Sequence, residues 1–229
     1  MTAMPLPSGH LHATARLRTV DLHGPAGRLE AVLNEGSQNA PAAALVCHPH
    51  PLGGGTLHNK VVYHAMKALN APDFGLHLPV LRFNFRGTGR SEGEHHGKAE
   101  AGDVTAAVNW LAREFDRPLL ALGFSFGAAM SLLACCGDPR VKALCALGLP
   151  THADGRDYHY HFLEGCTTPK LFLSGNLDQY APIEDLGQVV AQAADPKRLL
   201  FISGADHFFT NHLSAMQAVV ADWAKEHTA

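Results

Sequence analysis

Short apolar runs alternate with helix-type stretches along most of this chain, and few folds accommodate that rhythm. Residues 16–23 and 28–34 read as two strands joined by Gly24-Pro25-Ala26-Gly27, an antiparallel hairpin. Residues 42–47 are nearly all apolar, as a strand buried on both faces should be. Further strands are expected at 79–85, 119–124, 141–147, 170–174 and 198–202. Helices are expected at 59–69, 99–114, 127–136, 183–194 and 212–224. Such alternation predicts an α/β fold with an eight-stranded, mostly parallel twisted sheet and helices on both faces. Right-handed crossovers then bring the C-terminal strand ends to one edge, where ligands bind. Chemistry is therefore expected in the loops that follow strands.

At 229 residues the chain suits one large domain, and no repeat or linker divides it. Residues 1–15 read as a flexible arm and 16–229 as a single domain, with a short flap at about 150–168. A net charge of −3 offers no strong field to nucleic acid or acidic lipid. No run resembles a membrane span, and the N-terminus lacks a basic region followed by a long apolar stretch. A cytoplasmic protein is the expectation. Full protonation of the sixteen histidines would swing the net charge to +13, so self-repulsion is expected in mild acid. Cys47, Cys135, Cys136, Cys145 and Cys166 are odd in number and include no CxxC pair. Buried free thiols in a reducing compartment are expected.

Gly123-Phe124-Ser125-Phe126-Gly127 follows one of these strands and precedes an alanine-rich helix. G-x-S-x-G alone is often just a glycine-rich turn. In a strand–turn–helix context it acquires a mechanical reason. A turn that sharp strains the serine backbone, and flanking glycines remove side chains that would collide with the neighbouring elements. The serine oxygen then stands at a helix N-terminus, where negative charge is favoured.

A serine hydroxyl needs a base to become a nucleophile, and the base needs a group to orient it. Asp178 lies in the loop after the strand Lys170-Leu171-Phe172-Leu173-Ser174, and His207 in the loop after Leu199-Leu200-Phe201-Ile202. Serine, acid and base thus fall on three post-strand loops, in that chain order. Asp206 adjoins the histidine and is read as shaping its turn, and Asp185 as a solvated first-turn carboxylate.

Oxyanion donors are expected from the Phe126 N–H, next to the serine, and from the loop His48-Pro49-His50-Pro51-Leu52-Gly53-Gly54-Gly55. Pro49 and Pro51 have no N–H to give. His50 or Leu52 remains, with His50 preferred. His48-x-His50 and His159-x-His161 could together form a metal site, but such pairs are frequent in a histidine-rich chain, and no metal or cofactor is expected. Gly87-Thr88-Gly89 lacks the partners of a phosphate loop and reads as structural, with Arg86 hydrogen-bonding carbonyls near the site.

The segments at 48–59, 82–89, 123–127, 176–182 and 205–209 together resemble those of the lidless bacterial α/β-hydrolases, near the dienelactone-hydrolase-like group often described as carboxylesterases. The resemblance runs from about Leu17 to the C-terminus. It implies the α/β-hydrolase fold, a Ser125–Asp178–His207 triad, and cleavage of small esters or thioesters through an acyl-serine. Dienelactone hydrolase itself uses cysteine where this chain has Ser125, so true dienelactone activity is not expected. Leu147 and Lys170 are about twenty residues apart, too few for the multi-helix cap of larger relatives. The polar, aromatic stretch 151–162 is expected to form a partial flap. The other expectations are a small-molecule ester as partner, no nucleic acid or membrane partner, and a homodimer should an edge strand or the flap be apolar on its surface. A non-catalytic binding protein and an acyltransferase are the alternative readings.

Overall fold

The computed structural model describes residues 16–153, 156 and 158–229. The expected N-terminal arm, and Asp154, Gly155 and Asp157 of the expected flap, lie outside the described residues. Eight strands form one sheet in the order β1-β2-β4-β3-β5-β6-β7-β8. β1 (Leu17–Gly24) and β2 (Gly27–Asn34) are the antiparallel hairpin, in register from Leu17 opposite Asn34 to Gly24 opposite Gly27. β2 joins β4 (Val80–Phe83) antiparallel. β3 (Ala43–Cys47), β5 (Leu119–Phe124), β6 (Val141–Leu147), β7 (Lys170–Gly175) and β8 (Lys197–Ile202) run parallel to their neighbours.

The sheet has two packed faces, which is why β3, β4 and β5 are buried along their whole length. On one face lie α1 (Lys60–Asn70) and α5 (Leu213–Glu226), whose Val62, Leu69, Met216 and Trp223 cover Val46, Leu122 and Leu173. On the other lie α2 (Glu100–Phe115), α3 (Phe126–Cys135) and α4 (Ile183–Gln192), covering Leu45, Phe83 and Phe172. α1 begins where Asn59 Oδ1 accepts the Val61 N–H at 2.9 Å, satisfying a donor that the first turn leaves unpaired. α3 is apolar almost all round and correspondingly buried, wedged behind the serine.

The chain leaves β3 towards β4 on one side and returns through α2 to β5 on the other. This reversal makes the β3/β5 boundary a switch point, and the loops after these two strands open into the same crevice. Residues 48–55 and Ser125 are those loops.

Two expectations need correction. Cys136 and Cys166 form a disulfide with their Cα atoms 5.4 Å apart, so only Cys47, Cys135 and Cys145 are buried free thiols. The bridge ties the C-terminal end of α3 to the last turn of the segment 151–166, and the free-thiol support for a reducing compartment lapses. Among the described residues Arg86 bonds no carbonyl. It grips the buried Asp103 carboxylate of α2 through Nε, at 3.0 and 3.2 Å, and Nη2, at 2.7 Å. Carbonyl bonding falls instead to Arg82, whose Nη1 donates to Leu57 O at 2.9 Å. No helix among the described residues is long and apolar enough to cross a membrane.

Candidate active site

Ser125 sits between β5 and α3 with φ 54° and ψ −120°, a backbone that L-residues adopt only under constraint. Two close approaches impose it. A Cβ on Gly123 would overlap the Gly127 carbonyl, and one on Gly127 would overlap the carbonyls of Cys47 and His48. Glycine at both positions lets the turn tighten until Ser125 projects from its apex.

His207 Nε2 lies 3.0 Å from Ser125 Oγ, and His207 Nδ1 lies 2.9 and 2.8 Å from the two Asp178 carboxylate oxygens. Asp178 is fixed in turn. Its Oδ1 accepts the Tyr180 N–H and its Oδ2 the Ser174 hydroxyl, each at 2.8 Å. All three side chains are buried. The imidazole is further clasped by rings, with Tyr180, Phe124 and Phe208 centroids 4.7, 4.9 and 5.2 Å away. With Asp178 accepting from Nδ1–H, Nε2 presents its lone pair to the serine hydroxyl. The structure thus joins the three residues that the sequence singles out. Asp206 stands apart from them, its Oδ1 accepting the Phe208 and Thr210 N–H groups at 3.0 and 2.8 Å.

The oxyanion loop separates the two candidate donors. Leu52 N–H is engaged within the loop by His50 Nδ1 at 3.2 Å. The backbone N–H of His50 meets no acceptor among the described residues, and neither does that of Phe126 at the first position of α3. The two residues are neighbours, their ring centroids 4.9 Å apart.

His48, which sequence reasoning noticed only as part of a metal motif, anchors this loop. Its Nε2 accepts the Phe85 N–H at 3.0 Å, and its Nδ1 donates to Pro49 O at 2.6 Å. Burial pushes His48 down to about 4, which keeps it neutral and in the one tautomer that serves both bonds. His50 is also pushed down to about 4, by burial first and then by the positive charges of Arg156 and His95. With both His48 nitrogens engaged, His48-x-His50 is not a ligand pair. Among the described residues no three His, Cys, Asp or Glu side chains converge as metal ligands would. Cys47 is close at hand, but burial pushes its thiol up to about 12, far from a thiolate.

A pocket of about 650 Å³ opens beside Phe126 and His50. Ala129, Met130 and Leu133 of α3 form one wall, and Tyr158, Tyr160 and Phe162 of the segment expected to be a flap form another. That segment is pinned where the Tyr160 hydroxyl donates to Pro150 O at 2.6 Å and the Thr151 N–H to Tyr180 O at 2.8 Å.

Comparison with known proteins agrees with this architecture. Residues 43–226 match the family model of the alpha/beta hydrolase domain. An uncharacterised protein of Rickettsia prowazekii is 35% identical over 210 residues, covering 88% of this chain and 86% of its own length. Among solved structures, an alpha-beta serine hydrolase homologue from Coxiella burnetii is 31% identical, with a TM-score of 0.79 over 94% of this chain and 99% of that one. A serine hydrolase without a lid from Xanthomonas campestris is 28% identical, also with a TM-score of 0.79, over 92% of this chain and 94% of that one. By its fold, its family match and these relatives, the chain belongs to the α/β hydrolase family and has the lidless form of it.

Proposed function

We propose that this protein is a serine hydrolase that cleaves carboxylic esters or thioesters through an acyl-serine intermediate. One observation carries the reading: a single buried imidazole bridges Ser125 Oγ and the Asp178 carboxylate. Ser125 Oγ attacks the carbonyl carbon while its proton passes to His207 Nε2. Asp178, held by Ser174 and Tyr180, stabilises the resulting imidazolium without taking its proton. The N–H groups of Phe126 and His50 donate to the oxyanion. Collapse of the tetrahedral intermediate breaks the bond to the leaving oxygen or sulfur, which receives the proton from His207. Water, deprotonated by the same nitrogen, then attacks the acyl carbon; the bond to Ser125 Oγ breaks, Oγ takes the proton back from His207, and the acid is freed.

The Coxiella relative is a serine hydrolase homologue and the Xanthomonas relative a serine hydrolase without a lid, which supports the reaction class. Pre-steady-state kinetics with p-nitrophenyl butyrate tests the acyl-serine. A burst of p-nitrophenolate close to the enzyme concentration is expected from the wild type, and none from Ser125→Ala. Turnover that survives Ser125→Ala would overturn the proposal.

A further inference from the structure

The two arms of a bound ester diverge from the carbonyl carbon. His207 must protonate the leaving group, so that arm departs on the His207 side. There Leu177, Tyr180 and Phe208 stand exposed and enclose little. The 650 Å³ pocket is lined by Phe126 and His50, the residues whose N–H groups are the proposed oxyanion donors, and by neither Ser125 nor His207. An acyl arm whose carbonyl oxygen is held by those donors would extend into it. The pocket has the size of a site for a whole small molecule, and an acetyl group would leave most of it to water.

The chemistry of its walls is uneven. Met130, Leu133, Tyr158, Tyr160 and Phe162 supply apolar surface, while Lys98 enters from the loop before α2 and Arg156 from the segment opposite. Among the described lining residues none carries a carboxylate. Glu100, in the first turn of α2, is fully buried. Its oxygens accept the His96 and Gly97 N–H groups at 2.8 and 2.9 Å, and His95 Nδ1 lies 2.8 Å away. Arg156 stands near the Tyr158 side chain and is close enough to His50 for its charge to be felt there. Both cations are exposed at the rim of the pocket, so they act on an anion at short range and through solvent that salt can screen.

We infer that this pocket receives the acyl group of the substrate and favours an extended acyl chain that ends in an anionic group, with Arg156 and Lys98 as specificity-determining residues. The inference rests on the serine hydrolase reading above. It places selectivity in the acid half of the ester and leaves the alcohol or thiol half nearly unconstrained.

The test compares two methyl esters of one shape: a para-carboxyphenylpropanoate and its para-carboxamide counterpart. The wild type is expected to favour the carboxylate in kcat/KM by about tenfold, the size of one charge-assisted hydrogen bond. The preference should shrink as ionic strength rises. Arg156→Gln combined with Lys98→Gln should bring the ratio close to one, and Arg156→Lys should retain part of it. A wild-type ratio at or below one overturns the inference and leaves the serine hydrolase reading standing. So does a fluorophosphonate-reactive enzyme that turns over neither ester. An enzyme with no fluorophosphonate adduct at all overturns the reading beneath it.

Discussion

His48 Nε2 accepts the backbone N–H of Phe85 at 3.0 Å, joining the oxyanion loop to the end of β4. A fully buried imidazole thus sets the shape of a loop that carries the proposed oxyanion donor, His50, two residues later. The bond exists only while Nε2 keeps its lone pair, so the loop depends on a neutral histidine.

A pH dependence of stability follows. His48 is pushed down to about 4 in the native protein, against about 6.5 in an unfolded chain. Between those values the unfolded state binds the proton and the native state does not, so stability rises with pH. The contribution is fully present above about pH 6.5 and is lost as pH falls towards 4, on the order of 3 kcal/mol for this buried group. His50, shifted the same way, acts in the same direction. Urea unfolding across this range measures the slope. His48→Gln should be less stable at neutral pH and show a shallower decline. An equally steep decline in that variant would contradict the assignment.

On the proposed mechanism Asp178 orients His207, which sets the expected size of its loss. Asp178→Asn keeps the shape but presents a donor where Nδ1–H needs an acceptor. On the proposed mechanism kcat should fall by about 10⁴ with little change in unfolding free energy. Steady-state kinetics on a chromogenic ester, beside urea unfolding, separates this from misfolding. A loss of tenfold or less would show that Asp178 does not orient the base.

Arg86 and Asp103 form the buried ion pair between the loop after β4 and the first turn of α2, at 2.7 Å. Removing one partner leaves the other charged in a site without water. Arg86→Met should therefore cost about 3–5 kcal/mol, while the double substitution Arg86→Met with Asp103→Leu should recover part of it. Full additivity in this double-mutant cycle would mean that the pair is not coupled.

The disulfide joins residues separated by 30 positions in the chain. Closing a loop of that length restricts the unfolded chain by an amount worth about 3–4 kcal/mol. Cys136→Ser with Cys166→Ser is expected to lower the unfolding midpoint, and reductant should do the same to the wild type but not to the variant. Intact mass before and after reduction should differ by two hydrogens. No such gain, with five titratable thiols in the denatured protein as isolated, would contradict the bridge.

Much of the architecture was legible because parallel sheets demand continuous apolar strands, and 42–47, 119–124 and 141–147 are such runs. Ser125, Asp178 and His207 could be picked out because each follows a strand, and parallel topology gathers those ends at one edge. What remained hidden depends on distances that only folding sets. Cys136 and Cys166 carry no local signal of pairing, since a turn of helix and a loop bring them together from far apart in the chain. Arg86 looked like a donor to carbonyls because Asp103 belongs to the next helix. His48 was grouped with His50 by spacing, whereas its partner, Phe85, is the backbone of another loop. The pocket is made by residues from four separate segments, so its volume and cationic lip had no counterpart in any one motif.

On the proposed mechanism His207 activates Ser125. A fluorophosphonate probe, read by intact mass on the wild type and on Ser125→Ala, tests it most directly. One adduct is expected on the wild type and none on the variant. A folded wild-type protein that takes up no probe, or a variant labelled as readily as the wild type, would contradict it.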